Sequence, residues 1–180
     1  AQITQIHGAS SLLFGWETAL LDFLNFGKRQ VFEQTFSQGK KQPIEINGLI
    51  WMNDFEHMQQ QSHQKIEAGF HTIKMKIGAI DFDTECKLLG LIRQRFSAKD
   101  VVLRVDANGA FAPSEALQKL ERLATYDLHS IEQPIKQGQI MQMAELCAVT
   151  PVPIALDEEL IGVHGRAERE NLLRQIKPQY

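Results

Sequence analysis

Short β-rich runs recur along most of this chain at a nearly fixed interval. Counted from Ile44, Thr72, Val101 and Leu128, successive runs begin 28, 29 and 27 residues apart. Such an interval holds one strand, one helix and two turns, which returns each strand to the end where the last began and makes neighbours parallel. The runs are PIEINGLIW (43–51), HTIKMKIG (71–78), VVLRVDA (101–107), LHSIEQP (128–134), PIALDEE (153–159) and IKPQY (176–180). Between them, DFDTECKLLGLIRQRF has apolar residues at helical spacing after an acidic start, and APSEALQKLERLATY opens on proline and serine before its apolar face. GQIMQMAELCAV and GRAERENLLRQI behave alike. The expected fold is α/β with about six parallel strands over residues 43–180, either a (β/α)-barrel or a doubly wound sheet.

The first forty residues do not follow this rhythm. SSLLFGWETALLDFLNFGK reads as a helix, apolar around most of its circumference and ended by Gly27 and Lys28. Residues 1–42 are therefore expected to be part of a flanking domain, with the crossing at Gly39 to Gln42. A hydrophobic share of 43% with 23% charged residues is ordinary for a globular chain. The net charge of -3 and the scattered lysines and arginines give no nucleic-acid surface. No apolar run reaches membrane-spanning length and no secretory signal opens the chain, so a cytoplasmic protein is expected. Cys86 and Cys147 stand in helical segments without metal-type spacing, as reduced core residues would.

Alternation along the strands divides their side chains between two faces. Ile73, Met75, Leu103, Val105, Ile131, Ile154 and Leu156 fall on an apolar face expected to meet the helices. Lys74, Lys76, Arg104, Asp106, Glu132 and Asp157 fall on the other. Lys76, Asp106, Glu132 and Asp157 each come at the end of their run. A single charged residue there is ordinarily a solvated rim residue, but four at matching positions converge if the strands form a barrel, whose active sites lie at the C-terminal strand ends. Three carboxylates about 4 Å apart repel by roughly 4 kcal/mol per pair at an effective dielectric of 20, so the cluster needs positive charge. An oxygen-only site without histidine or cysteine suits a hard divalent ion, most often Mg²⁺. His129 falls on the helix-facing side by the same alternation, and no two histidines stand at ligand spacing.

With these positions in view the chain resembles the enolase superfamily. KMK (74–76), DAN (106–108), EQP (132–134) and DEE (157–159) stand in that superfamily's order. INGLIWM, LRVDANGAF, LHSIEQPI and PIALDEELIG are most similar to its o-succinylbenzoate synthase family, in the branch of Bacteroides-type bacteria. The resemblance implies a (β/α)-barrel preceded by a capping domain. It implies Asp106, Glu132 and Asp157 as Mg²⁺ ligands and Lys76 as the acid/base that removes a proton α to a carboxylate. Lys74 would keep Lys76 in a cationic environment, and Arg104 and Asn108 would line the same pocket. The implied reaction is a syn-dehydration, through an enediolate, of 2-succinyl-6-hydroxy-2,4-cyclohexadiene-1-carboxylate to o-succinylbenzoate in menaquinone biosynthesis. The partner it calls for is a small-molecule carboxylate substrate. A second active-site lysine would lie beyond Tyr180, since Lys177 stands at the start of the last run and so at the wrong end of the barrel, and the sequence reads as a piece of a longer enzyme. A dipeptide epimerase or muconate-cycloisomerase-like enzyme would carry the same residues. From another class, a non-catalytic α/β interaction domain would simply neutralise its carboxylates with Lys74, Lys76 and Arg104.

Overall fold

The structure is a computed structural model that describes residues 9–29 and 44–180. The chain divides into two compact units between Ile44 and Glu45. The crossing expected at Gly39 to Gln42 lies outside the described residues.

In the first unit, α1 (Ser10–Leu24) is the expected apolar helix, and none of its residues is buried. Its last turn closes on Gly27, whose positive φ of 68° lets its N–H reach the carbonyl of Asp22.

The second unit alternates strand and helix throughout: β1 (Gly48–Ile50), α2 (Phe55–Glu67), β2 (Thr72–Lys76), α3 (Phe82–Arg95), β3 (Val102–Asp106), α4 (Pro113–Ala124), β4 (Leu128–Glu132), α5 (Ile140–Val149), β5 (Ile154–Ala155) and α6 (Arg166–Ile176). A single 3₁₀ turn, Glu158–Leu160, stands between β5 and α6. Local chemistry sets the helix starts. The Asp54 and Asp81 carboxylates accept from the N–H groups of His57 and Thr84, capping α2 and α3, and α4 begins on Pro113. Acidic Asp83 and Glu85 in the first turn of α3, with Arg93 and Arg95 in its last, follow the helix dipole.

The five strands are all parallel and lie in the order β1-β2-β3-β4-β5. A doubly wound sheet reverses direction at a switch point, whereas a barrel adds each strand beside the previous one. The observed order is that of consecutive barrel strands. Burial alternates as expected along β2 and through Val105 of β3. Ile73, Met75, Leu103, Val105, Ile131 and Ile154 pack in one cluster with Leu88, Leu89 and Ile92 of α3, Leu120 and Leu123 of α4, and Met143 of α5. Leu156 is only partly buried at its edge. Cys86 and Cys147 are buried free thiols.

Three expectations are corrected. The first run forms a strand only at Gly48–Ile50, with Ile44 and Ile46 exposed before it. The last run, IKPQY, forms no strand: Ile176 falls one helical turn after Leu172 and shares its buried face, so α6 takes it. Lys177, disfavoured in a helix by the proline after it, leaves through the left-handed region at φ 54°. The N–H groups of Gln179 and Tyr180 then reach the carbonyl of Ile154 on β5. Finally, strict alternation fails at His129. Leu103 pairs with Leu128 but Arg104 with Ser130, so one extra residue bulges out of β4, and His129 is exposed and stacked on Tyr180.

Candidate active site

The strand register sets two rows of side chains on the face away from the helices. Lys74 lies beside Arg104 and Arg104 beside Ser130, while one step further on Lys76 lies beside Asp106 and Asp106 beside Glu132. Neighbouring parallel strands stand under 5 Å apart, so the second row becomes a tight cluster of ions. Asp106, with no exposed surface, accepts through Oδ2 from Lys76 Nζ at 2.6 Å and from Lys74 Nζ at 2.9 Å. Its Oδ1 takes the N–H of Asn108. Lys74 also donates to Glu132 Oε2 at 2.7 Å, so one ammonium bridges two strand-end carboxylates. Lys76 donates further to Asn108 Oδ1, whose amide in turn donates to Glu158 Oε1, each at 2.7 Å. The Trp51 ring, just beyond β1, lies 5.9 Å from Lys76 Nζ.

Burial pushes the Asp106 carboxyl up, but the hydrogen bonds from Lys76 and Lys74 outweigh it and hold the group below the usual aspartate range. Burial likewise disfavours the Lys74 ammonium, yet Glu132 and Asp106 together raise its pKa above the ordinary value. Asp106 and Lys74 are thus each favoured in the charged form.

The loops that carry it are tightly built. Asn108 and Gly109 both adopt positive φ after β3, and Gly78 does so after β2. A Cβ on Gly78 would stand 2.3 Å from that of Ala110, and one on Gly109 would stand 2.8 Å from the Cα of Lys136. Glycine is what allows these loops to meet.

Of the residues singled out from the sequence, Lys74, Lys76, Asp106, Glu132 and Asn108 come together. Arg104 shares their face, and its Nε donates to Ser130 Oγ at 3.3 Å without reaching a carboxylate. Asp157 does not join them. β5 ends at Ala155, so Asp157 stands two residues past the strand rather than at its end, and with φ −133° and ψ −79° it is exposed. Among the described residues no three acidic, histidine or cysteine side chains are grouped to hold a metal. The oxygen donors of Asp106 and Glu132 nonetheless already share one cation, the Lys74 ammonium, and hard carboxylate donors of this kind suit Mg²⁺.

Sequence reasoning missed Gln133, Glu158, Glu159 and Trp51. Gln133 and Glu159 are buried in the loops after β4 and β5, where the amide of Gln133 bonds to Glu159 and to the N–H of Asp157. Their positions next to Glu132 and Asp157 were the available signal; their contacts are tertiary.

Comparison with known proteins gives the family and the fold. Residues 57–174 match the enolase C-terminal domain-like family. The chain is 52% identical over 170 residues to an o-succinylbenzoate synthase of Desulfotalea psychrophila, covering 94% of this chain and 46% of that protein. It is 38% identical to an L-Ala-D/L-Glu epimerase of Francisella tularensis subsp. novicida, over 72% of this chain and 36% of that one. The crystal structure of MenC from Desulfotalea psychrophila superposes with a TM-score of 0.77 at 50% identity, covering 89% of this chain and 44% of that chain. A substrate-liganded L-Ala-D/L-Glu epimerase from Bacillus subtilis gives 0.65 at 26% identity, over 75% and 37%. The chain thus spans less than half the length of these relatives. No described helix is long and apolar enough to cross a membrane.

Proposed function

The chain belongs to the enolase C-terminal domain-like family, and from that premise we propose that its protein is a Mg²⁺-dependent o-succinylbenzoate synthase of the cytoplasm. The observation that carries the reading is the bridging of Asp106 and Glu132 by Lys74 beside Lys76. Oxygen donors and a lysine proton carrier stand together at adjacent strand ends, and enolase-superfamily sites pair such a base with one or two Mg²⁺ ions. Residues 1–42 belong to a capping domain and 43–180 to the first part of the barrel.

Asp106 and Glu132 would hold the metal, with Asp157 as the third acidic group. Bound there, Mg²⁺ supplies positive charge where a substrate carboxylate becomes an enediolate. Lys76 takes the α-proton of 2-succinyl-6-hydroxy-2,4-cyclohexadiene-1-carboxylate and returns it to the departing hydroxyl on the same face, which is a syn elimination. Asn108 aims Lys76 through the bond at its Oδ1. Lys74 and Arg104 keep positive charge beside it, and aromatisation of the ring supplies driving force.

A second reading, dipeptide epimerisation, has specific support in the 38% identity to the Francisella epimerase. It needs the same proton abstraction followed by return to the opposite face. Assaying the intact protein with Mg²⁺ for both reactions separates them. Dehydration as the faster reaction, abolished by chelator, is expected. Faster epimerisation of L-Ala-D/L-Glu would favour the second reading, and neither reaction would refute both.

A further inference from the structure

Gln133 carries more hydrogen bonds than its place in a loop requires. Its side chain is completely buried. The amide nitrogen donates to the carbonyl of Ile135 at 3.0 Å and to Glu159 Oε2 at 3.2 Å. The amide oxygen accepts from the N–H groups of Asp157 at 3.2 Å and Glu159 at 3.3 Å. Two donors and two acceptor positions are the whole capacity of a glutamine amide, and all are used. The main chain of the same residue is engaged as well. Its N–H reaches the carbonyl of Ala155 at 2.9 Å, and its carbonyl takes the N–H of Gly109 at 2.7 Å. Gln133 does this at φ 40°, a conformation seldom adopted outside glycine, asparagine and aspartate. Glu159 completes the circuit by accepting from Gly138 through its other oxygen.

One residue therefore ties together the loops that follow β3, β4 and β5. It immediately follows Glu132, and its side chain holds the backbone of Asp157. The carbonyl of Asp157 is taken in turn by the N–H of Leu160 at 2.9 Å, so both backbone polar groups of Asp157 are fixed while its carboxylate stays free to turn. Only a side chain of this length with both a donor and an acceptor end satisfies the set.

Resting on the metal reading above, we propose that Gln133 is a positioning residue: it sets the backbone of Asp157 relative to Glu132, so that the two carboxylates are presented to one divalent ion. Groups that orient metal ligands in this way typically change metal affinity 10–100-fold when lost.

The test compares three variants of the intact protein by Mn²⁺ and Mg²⁺ titration, alongside unfolding midpoints measured in chelator. Gln133→Met keeps the volume and loses all four side-chain bonds; its ion dissociation constant should rise at least about tenfold. Gln133→Glu keeps both acceptor bonds, including that to Asp157, but sets a carboxylate against Glu159. Its midpoint should fall while its ion affinity stays within about threefold of wild type, well inside the tenfold loss. Leu120→Ala, a fully buried site in α4, should lose stability with no change in affinity. A folded Gln133→Met that binds the ion as tightly as wild type overturns the proposal. So does Gln133→Glu if its affinity falls in step with its stability, and that comparison decides the matter if Gln133→Met does not fold. Wild-type protein that binds neither ion refutes the metal reading itself, a result distinct from equal binding by wild type and Gln133→Met.

Discussion

Replacing Asp106 with asparagine tests the charge balance of the site in a way that depends on sign. At a site where acidic groups merely crowd together, removing one carboxylate relieves repulsion and stabilises the protein in chelator. Here the opposite is expected. Asp106 Oδ2 accepts from both lysines, Lys76 at 2.6 Å and Lys74 at 2.9 Å, and their side chains are only 14% and 18% exposed. Laid end to end, those distances put the two nitrogens no more than about 5.5 Å apart. At an effective dielectric of 20 their repulsion is at least roughly 3 kcal/mol, and Asp106 is the carboxylate that contacts both ammonium groups. Lys74 keeps Glu132 in the variant, while Lys76 keeps only the Asn108 carbonyl. Breaking a buried pair by removing one partner costs about 3–5 kcal/mol, so Asp106→Asn should lose about that much in urea unfolding of the intact protein with chelator present. Mg²⁺ should raise the midpoint of wild type, because a ligand of the native state stabilises it by mass action, and leave that of the variant unmoved. A variant as stable as wild type in chelator, or more so, would show that the lysines are not held by Asp106.

Lys76→Ala should lower kcat at least about 10²-fold, the low end for a general acid/base, with Mg²⁺ affinity retained in titration; undiminished turnover would remove Lys76 from the chemistry. Gly109→Ala forces an alanine to φ 74° with its Cβ 2.8 Å from a backbone atom, and should cost at least about 1–3 kcal/mol in the unfolding midpoint, a neutral result contradicting the loop packing. Burial pushes the Cys147 thiol from its ordinary 9.0 up to about 11, so the native protein should resist thiol reagents at pH 8 and react once unfolded. For the same thiol, stability is fully present below pH 9 and is lost as pH rises toward 11, since the unfolded chain ionises first; fast native labelling at pH 8 would contradict both statements.

Legibility in the sequence followed how local the governing force was. In β2 and β3 a greasy face alternates with a charged one, and any one-residue slip would bury lysines, so the register could be read directly. Helices α1 and α3 to α6 were equally plain because apolar spacing along a helix is short-range. The strand end expected at Asp157 falls at Ala155 instead, because the length of β5 depends on its pairing partners and two residues of strand do not carry the alternation that far. Ile176 was claimed by two patterns, and the buried face shared with Leu172 prevailed. The bulge at His129 and the bonds of Gln133 involve residues on neighbouring strands and loops, and no window of sequence contains both sides of those contacts.

The uniform strand order also bears on how the sheet is assembled. Partners across it are never far apart along the chain: Ile131 meets Ile154, 23 positions on, and at the other extreme Thr72 meets Val102, 30 positions on. The length-dependent part of the loop-closure entropy is therefore nearly the same for every new strand, about 3 kcal/mol from the logarithm of chain length. Each βα unit adds to an edge that the preceding unit has already made. A chain emerging from the ribosome at about 5–20 residues per second completes one such unit every few seconds, and each nascent strand finds its neighbour waiting.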